Sequence, residues 1–190
     1  MGFGVLIVGL AVFLATHLFV TMRERRAAAI ARLGQNGYRA VFSVVALASL
    51  VLIVWGYSHA PLVVMWSPPG AMRHVTIGLM LLASVALAAY FVPSHVKAWL
   101  KHPLLVAVKT WAIAHLLANG DLASMLMFLV FLAWGVYARI AAKKRGDVGF
   151  TTPPSGWTND VIVVVVGIVV FLALGYGFHP FVLHHPVFGG

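Results

Sequence analysis

The side chains in this sequence best suited to chemistry are imidazoles: nine histidines stand against four acidic residues and no cysteine. Without thiols there is no disulfide, no thiolate-ligated haem, no iron–sulfur cluster and no cysteine zinc site, so any metal must be held mainly by histidine. A neutral imidazole offers one nitrogen to a metal while the other finds a hydrogen-bond acceptor that orients the ring. His17, Lys109 and His115 fall inside apolar runs, and His74 sits at the edge of another. A polar group in such a run is costly and turns toward a partner or a cavity. His17 and His115 are therefore candidate metal ligands. The alternative role for each is structural, as a donor to a carbonyl on a neighbouring helix.

The richest stretch is His102-Pro-Leu-Leu-Val-Ala-Val-Lys109-Thr-Trp-Ala-Ile-Ala-His115-Leu-Leu-Ala-Asn119-Gly-Asp121. Lys109, Ala112 and His115 have helical spacing, and Trp111 lies one turn from His115, so the two can share a face. Lys109 could pair with a porphyrin propionate or snorkel to the interface. Lys109, Trp111, Asn119 and Asp121 are the candidate cofactor-binding residues. Among the remaining histidines, His59 belongs to a loop, and His95 and His102 flank a membrane surface. The segment Phe178-His-Pro-Phe-Val-Leu-His-His185 could bind a metal or fold back as an interfacial segment, but a solvated tail is the expectation, because two adjacent histidines do not share a helix face.

The elements that must position these groups are membrane helices. With 62% hydrophobic and 9% charged residues and a mean hydropathy of +1.00 over 190 residues, the chain has more apolar surface than a water-soluble core can hide. Runs near residues 2–22, 38–57, 72–92, 122–140 and 161–178 are each long enough to cross a bilayer as a helix, and 103–118 is a shorter sixth. The first run precedes its charges and is expected to be a retained anchor. The formal charge of +9 is gathered in short clusters between the runs, which argues for topology signals and against nucleic-acid binding. Six alternating spans put the basic segments 23–39, 94–102 and 139–145 on one side, the cytoplasm by the positive-inside rule, with both termini outside. Asn119-Gly120-Asp121 predicts a tight hairpin, with Gly120 ending one helix and Asp121 capping the next. Asn159 or Asp160 is expected to cap the last helix. The fold expected is all-α, a single polytopic transmembrane bundle of about six spans.

Several of these motifs resemble the NnrU family. They are His17 followed by a basic run, Tyr38-Arg39, Trp55-Gly56-Tyr57, Trp66-Ser-Pro-Pro, Arg73-His74, Lys101-His102-Pro103 and above all Lys109-Thr-Trp-Ala-Ile-Ala-His115-Leu-Leu-Ala-Asn-Gly-Asp121-Leu-Ala-Ser124. The resemblance covers residues 2–145 and implies a multi-pass bacterial inner-membrane protein associated with denitrification, in nitrite and nitric oxide metabolism. The family also looks related to 15-cis-zeta-carotene isomerase, a membrane enzyme whose haem b is held by two histidines. That likeness implies haem b ligated by His17 and His115, and where the isomerase motif has a cysteine before its second ligand this chain has Ala112.

Helix geometry favours another partner for His115. At 1.5 Å per residue His17 lies about 9 Å from Arg23, whereas His115 lies about 21 Å from Lys101, so by depth His74 is the better match. The activities implied are a haem-linked factor of nitrogen-oxide metabolism, a haem-dependent cis-trans isomerase of a carotenoid or other isoprenoid, or a non-catalytic membrane assembly factor. The partners implied are the lipid bilayer, a hydrophobic isoprenoid or nitrogen-oxide-related ligand, and a second copy of the chain.

Overall fold

The computed structural model describes residues 1–184, 187 and 188. Its elements run in the order α1 (Gly2–Phe19), α2 (Arg23–Ser58), α3 (Met72–Phe91), α4 (His95–Leu100), α5 (Pro103–Ala118), α6 (Leu122–Lys144) and α7 (Thr158–Leu172), then a π segment (Ala173–Phe178) and α8 (His179–Val182). Among the described residues the regular structure is helical. Five helices are long and apolar enough to cross a membrane, the last running from Thr158 to Val182. The 16-residue α5 is apolar but shorter. It is about 24 Å long, less than the roughly 30 Å of hydrocarbon. Val161, Val165, Val169 and Leu172 are exposed along α7, a face that lipid can solvate and water cannot.

The chain divides into two compact units. The first comprises Met1–Met65 with Asp121–Val130, and the second Trp66–Gly120 with Phe131–Gly190. In the first, α1 packs along α2 through small residues: a Cβ at Gly9 would meet Ile53, and one at Gly56 would meet the Leu6 backbone. Absent side chains let membrane helices approach closely and gain dispersion contact. In the second, α3 packs on α5 and α7. Ala88 and Ala89 of α3 and Val163 of α7 are buried together, and Gly167 of α7 lies against Val85.

Three expectations change. The basic stretch after the first span is helical and not an open loop: α2 begins at Arg23, because Ala27–Ala29, Ala31 and Leu33 are strong helix formers, and it breaks at Gly34 (φ 71°, ψ 163°) before the second apolar run. That conformation is open to glycine and strained for other residues. Neither Asn159 nor Asp160 caps α7, whose N-cap is Trp157 without a side-chain bond. Instead Asn159 Nδ2 donates to the Pro93 carbonyl at 2.7 Å, and Asp160 accepts from Val96 N at 2.9 Å and His95 Nδ1 at 2.8 Å, which pins α4. The last span also runs on through the π segment to Val182, so His179 is not in a solvated tail.

Asp121 caps α6 as expected, its Oδ1 accepting from Ser124 N at 2.9 Å. Gly120 serves a different purpose there. A Cβ would collide with the Trp66 carbonyl, and Trp66 N donates to the Gly120 carbonyl at 3.1 Å.

Candidate functional site

A cavity of about 290 Å³ lies within the second unit. One wall is a stripe of α3, Arg73, Thr76, Ile77, Met80 and Ser84, whose three- and four-residue spacing puts them on one helix face. The α5 end contributes His115, Ala118 and Asn119. Phe171, Leu174, Gly175 and His179 come from the end of α7, the π segment and α8, and Val187 and Phe188 from the chain beyond. The two helical walls are joined by Thr76 Oγ1, which donates to the Ala114 carbonyl at 3.0 Å.

His115 Nδ1 donates to the Trp111 carbonyl at 2.9 Å, and Asn119 Nδ2 donates to the His115 carbonyl at 2.9 Å. A carbonyl can only accept, so Nδ1 holds the proton and the lone pair of the neutral ring lies on Nε2. His179 is set the same way, its Nδ1 donating to the Leu174 carbonyl at 2.8 Å. The two rings lie with centroids 6.1 Å apart and planes inclined by 16°.

Val187 and Phe188 cover the cavity on one side. Arg73 Nη2 donates to the Val187 carbonyl at 2.7 Å. The Phe188 ring stacks on Tyr176 at 4.6 Å, meets Phe171 edge-on at 5.8 Å, and fills the space a Cβ at Gly175 would need. Apolar burial of Phe188 and the Arg73 bond hold this stretch back on the fold. His184 is exposed, and His185 lies outside the described residues.

The other sequence candidates are distributed. Asn119 lines the cavity beside His115. Trp111 flanks it, 5.4 Å from the His115 ring and edge-on to Phe131 at 5.2 Å. The Lys109 stem packs against Gly135 of α6, where a Cβ would come within 2.9 Å of Lys109 Cγ. His74 is exposed in the first turn of α3 and is not among the lining residues.

His17 and Asp121 belong to the first unit. His17 Nδ1 donates to the Phe13 carbonyl at 2.8 Å, and its ring stacks on Phe13 at 4.0 Å and meets Phe42 edge-on at 5.4 Å. Asp121 caps α6 and accepts from Ser124 Oγ at 2.5 Å, and that hydroxyl also bonds Tyr57 Oη at 3.1 Å. His179 lines the cavity although the sequence places it in a segment expected to be solvated, because the apolar run read from the sequence stops at Phe178. Its one signal is a His-Pro step joined without a turn to a glycine-punctuated span.

An all-helical chain with five bilayer-length apolar helices and a histidine-bearing cavity inside one helical unit is a polytopic membrane protein. Residues 5–187 match the family described as NnrU protein, so the chain belongs to the NnrU family. None of the curated proteins and none of the solved structures matches it.

Proposed function

We propose that this chain is a haem-b protein of the bacterial inner membrane, linked to nitrite and nitric oxide metabolism, with His115 as a residue that would hold the iron. The observation that carries the reading is the setting of His115. Its Nδ1 is committed to the Trp111 carbonyl, its Nε2 lone pair suits a metal, and its ring borders a cavity with apolar walls.

The residues present fit the group. Imidazole is the strong donor for such an iron in a chain without thiols. Ile77, Met80 and Phe171 offer dispersion contact to a flat apolar macrocycle, and Arg73 offers a cation to a carboxylate edge. At about 290 Å³ the cavity is at the low end for ligand pockets, so a macrocycle needs its open side for the outer edge. When bound, haem supplies one-electron and nitrogen-oxide chemistry. The chain's own part is to orient His115 through Trp111 and Asn119, to exclude water with the apolar wall and to hold the anionic edge at Arg73.

Protein purified from haem-replete cells is expected to show a Soret band that shifts on reduction and is altered in His115→Ala; no Soret band in the wild type overturns the proposal. Loss of the gene from a denitrifying host should slow nitrite and nitric oxide turnover, and unchanged turnover would remove the metabolic link.

The apolar lining from Ile77 to Phe188 supports a second reading, a haem-dependent isomerase acting on an extended isoprenoid. Conversion of a cis-carotenoid precursor by reduced, haem-loaded protein is the expected sign of it, and no turnover counts against it.

A further inference from the structure

In the first unit, away from the cavity, two buried donors have no partner. Tyr38 is 9% exposed and its Oη makes no hydrogen bond, and neither does the buried Nε of Arg26. Arg26 also lacks a carboxylate, since among the described residues the one ion pair joins His95 to Asp160. A buried polar group without a partner loses its hydration and gains nothing in return, so folded proteins leave few of them.

The two residues meet because of the break at Gly34. Twelve positions apart, they would be separated by about 18 Å along a straight helix, on faces turned by about 120°. The φ of 71° at Gly34 redirects the Arg23–Leu33 leg of α2, and the Arg26 Cζ stands 5.7 Å from the centre of the Tyr38 ring. Tyr38 is held by Phe42, with ring centres 6.5 Å apart, and Phe42 by His17 of α1 at 5.4 Å. The guanidinium is thus seated on a packed aromatic column that fixes it before any ligand arrives.

What both groups need is an acceptor. A guanidinium only donates, and its fork of donors fits the oxygens of an anion. The surroundings favour negative charge, because residues 23–39 carry five arginines against one glutamate. Depth favours phosphate over carboxylate. Tyr38 opens the apolar run 38–57, so the pair stands where hydrocarbon gives way to lipid headgroups, and arginines beside a span attract anionic lipid there. Surface arginines do so diffusely; a buried hydroxyl adds a donor that serves only a seated group.

We propose that Arg26 and Tyr38 form a phosphate site at the membrane surface, with Arg26 Nε and Tyr38 Oη donating to the oxygens of one phosphate group. An anionic phospholipid and a free phosphate share that chemistry, and the test separates them. The site lies wholly within the first unit and does not depend on the haem reading.

The full chain in dodecylmaltoside micelles is titrated with dioleoylphosphatidylglycerol and, separately, with sodium phosphate at an ionic strength matched by sodium chloride. Native mass spectrometry counts bound lipid, and tryptophan fluorescence follows the thermal midpoint. The wild type should hold one phosphatidylglycerol and unfold at a higher midpoint with it. Tyr38→Phe and Arg26→Gln should each weaken that binding by about tenfold or more, the effect of losing a hydrogen bond to a charged group. Arg23→Gln removes the same charge from the same leg and should weaken it by no more than a few-fold, roughly the effect of an exposed charge. Without lipid, Tyr38→Phe should be at least as stable as the wild type, because the hydroxyl it removes has no partner, and it decides the matter if Arg26→Gln does not fold. A midpoint raised by sodium phosphate, with the same dependence on Arg26 and Tyr38, keeps the site and makes its ligand a soluble phosphate. The site is overturned if neither probe binds, if Arg23→Gln and Arg26→Gln lose binding equally, or if Tyr38→Phe binds as the wild type does or is less stable than it without lipid.

Discussion

Gly167 stands where α7 packs on α3, and a side chain there should disturb both stability and the cavity. A Cβ would lie 2.7 Å from Val85 Cα and 2.7 Å from Val85 Cγ2. Carbon atoms rest at about 3.5–4.0 Å, so relief requires a separation of roughly 0.8–1.3 Å. One of the two contacts is backbone, so the helices must move and a rotamer change does not suffice. Overpacking of this kind costs about 1–3 kcal/mol. Alanine offsets up to about 1 kcal/mol of it through helix propensity, so Gly167→Ala should destabilise by about 0–2 kcal/mol and Gly167→Val by at least the full range. Because α7 leads into the π segment, the shift should also reach the cavity wall at Phe171, Leu174 and Gly175. Reversible unfolding in mixed micelles, read by tryptophan fluorescence, measures the stability term. Gly78→Ala is the control: nothing lies within 4 Å of its Cβ, and its change should be at or below about 1 kcal/mol, in the stabilising direction. A Gly167→Val midpoint equal to wild type would refute the packing argument.

Gly34→Ala should cost about 1–3 kcal/mol, because φ is 71° there with no neighbour within 4 Å of a Cβ, so the penalty is purely conformational; unchanged thermal unfolding by circular dichroism would show that α2 does not need the break. Ser124→Ala should cost about 1–3 kcal/mol by leaving the Tyr57 hydroxyl and Asp121 carboxylate without their shared partner, and combining it with Tyr57→Phe should be less than additive; full additivity in the same unfolding assay would mean the two hydroxyls act independently. Asp160→Ala should lower the melting temperature more than Asp147→Ala, since Asp160 joins α4 to α7 through His95 and Val96, whereas Asp147 closes an exposed turn at Gly149. Equal shifts would argue against that clasp.

The spans were legible because lipid as solvent imposes a one-dimensional rule: about 20 consecutive apolar residues, whatever they later touch. The Asp121 cap was legible because cap chemistry is local. The helical course of Arg23–Leu33 was hidden by charge, which marks a membrane surface but does not prevent a helix. Asp160 looked like a cap because carboxylates favour first turns; its bonds to α4 depend on where the chain returns.

Sequence alone determined that this is a helical membrane chain rich in imidazole, with His115 as a prime ligand candidate. Tertiary structure decided which ring lies beside His115. The π segment changes the helix phase without leaving an apolar periodicity to read, and the closeness of His115 to His179 arises from α3 packing on both α5 and α7. Contacts between distant segments depend on packing geometry, which no local pattern of residues encodes.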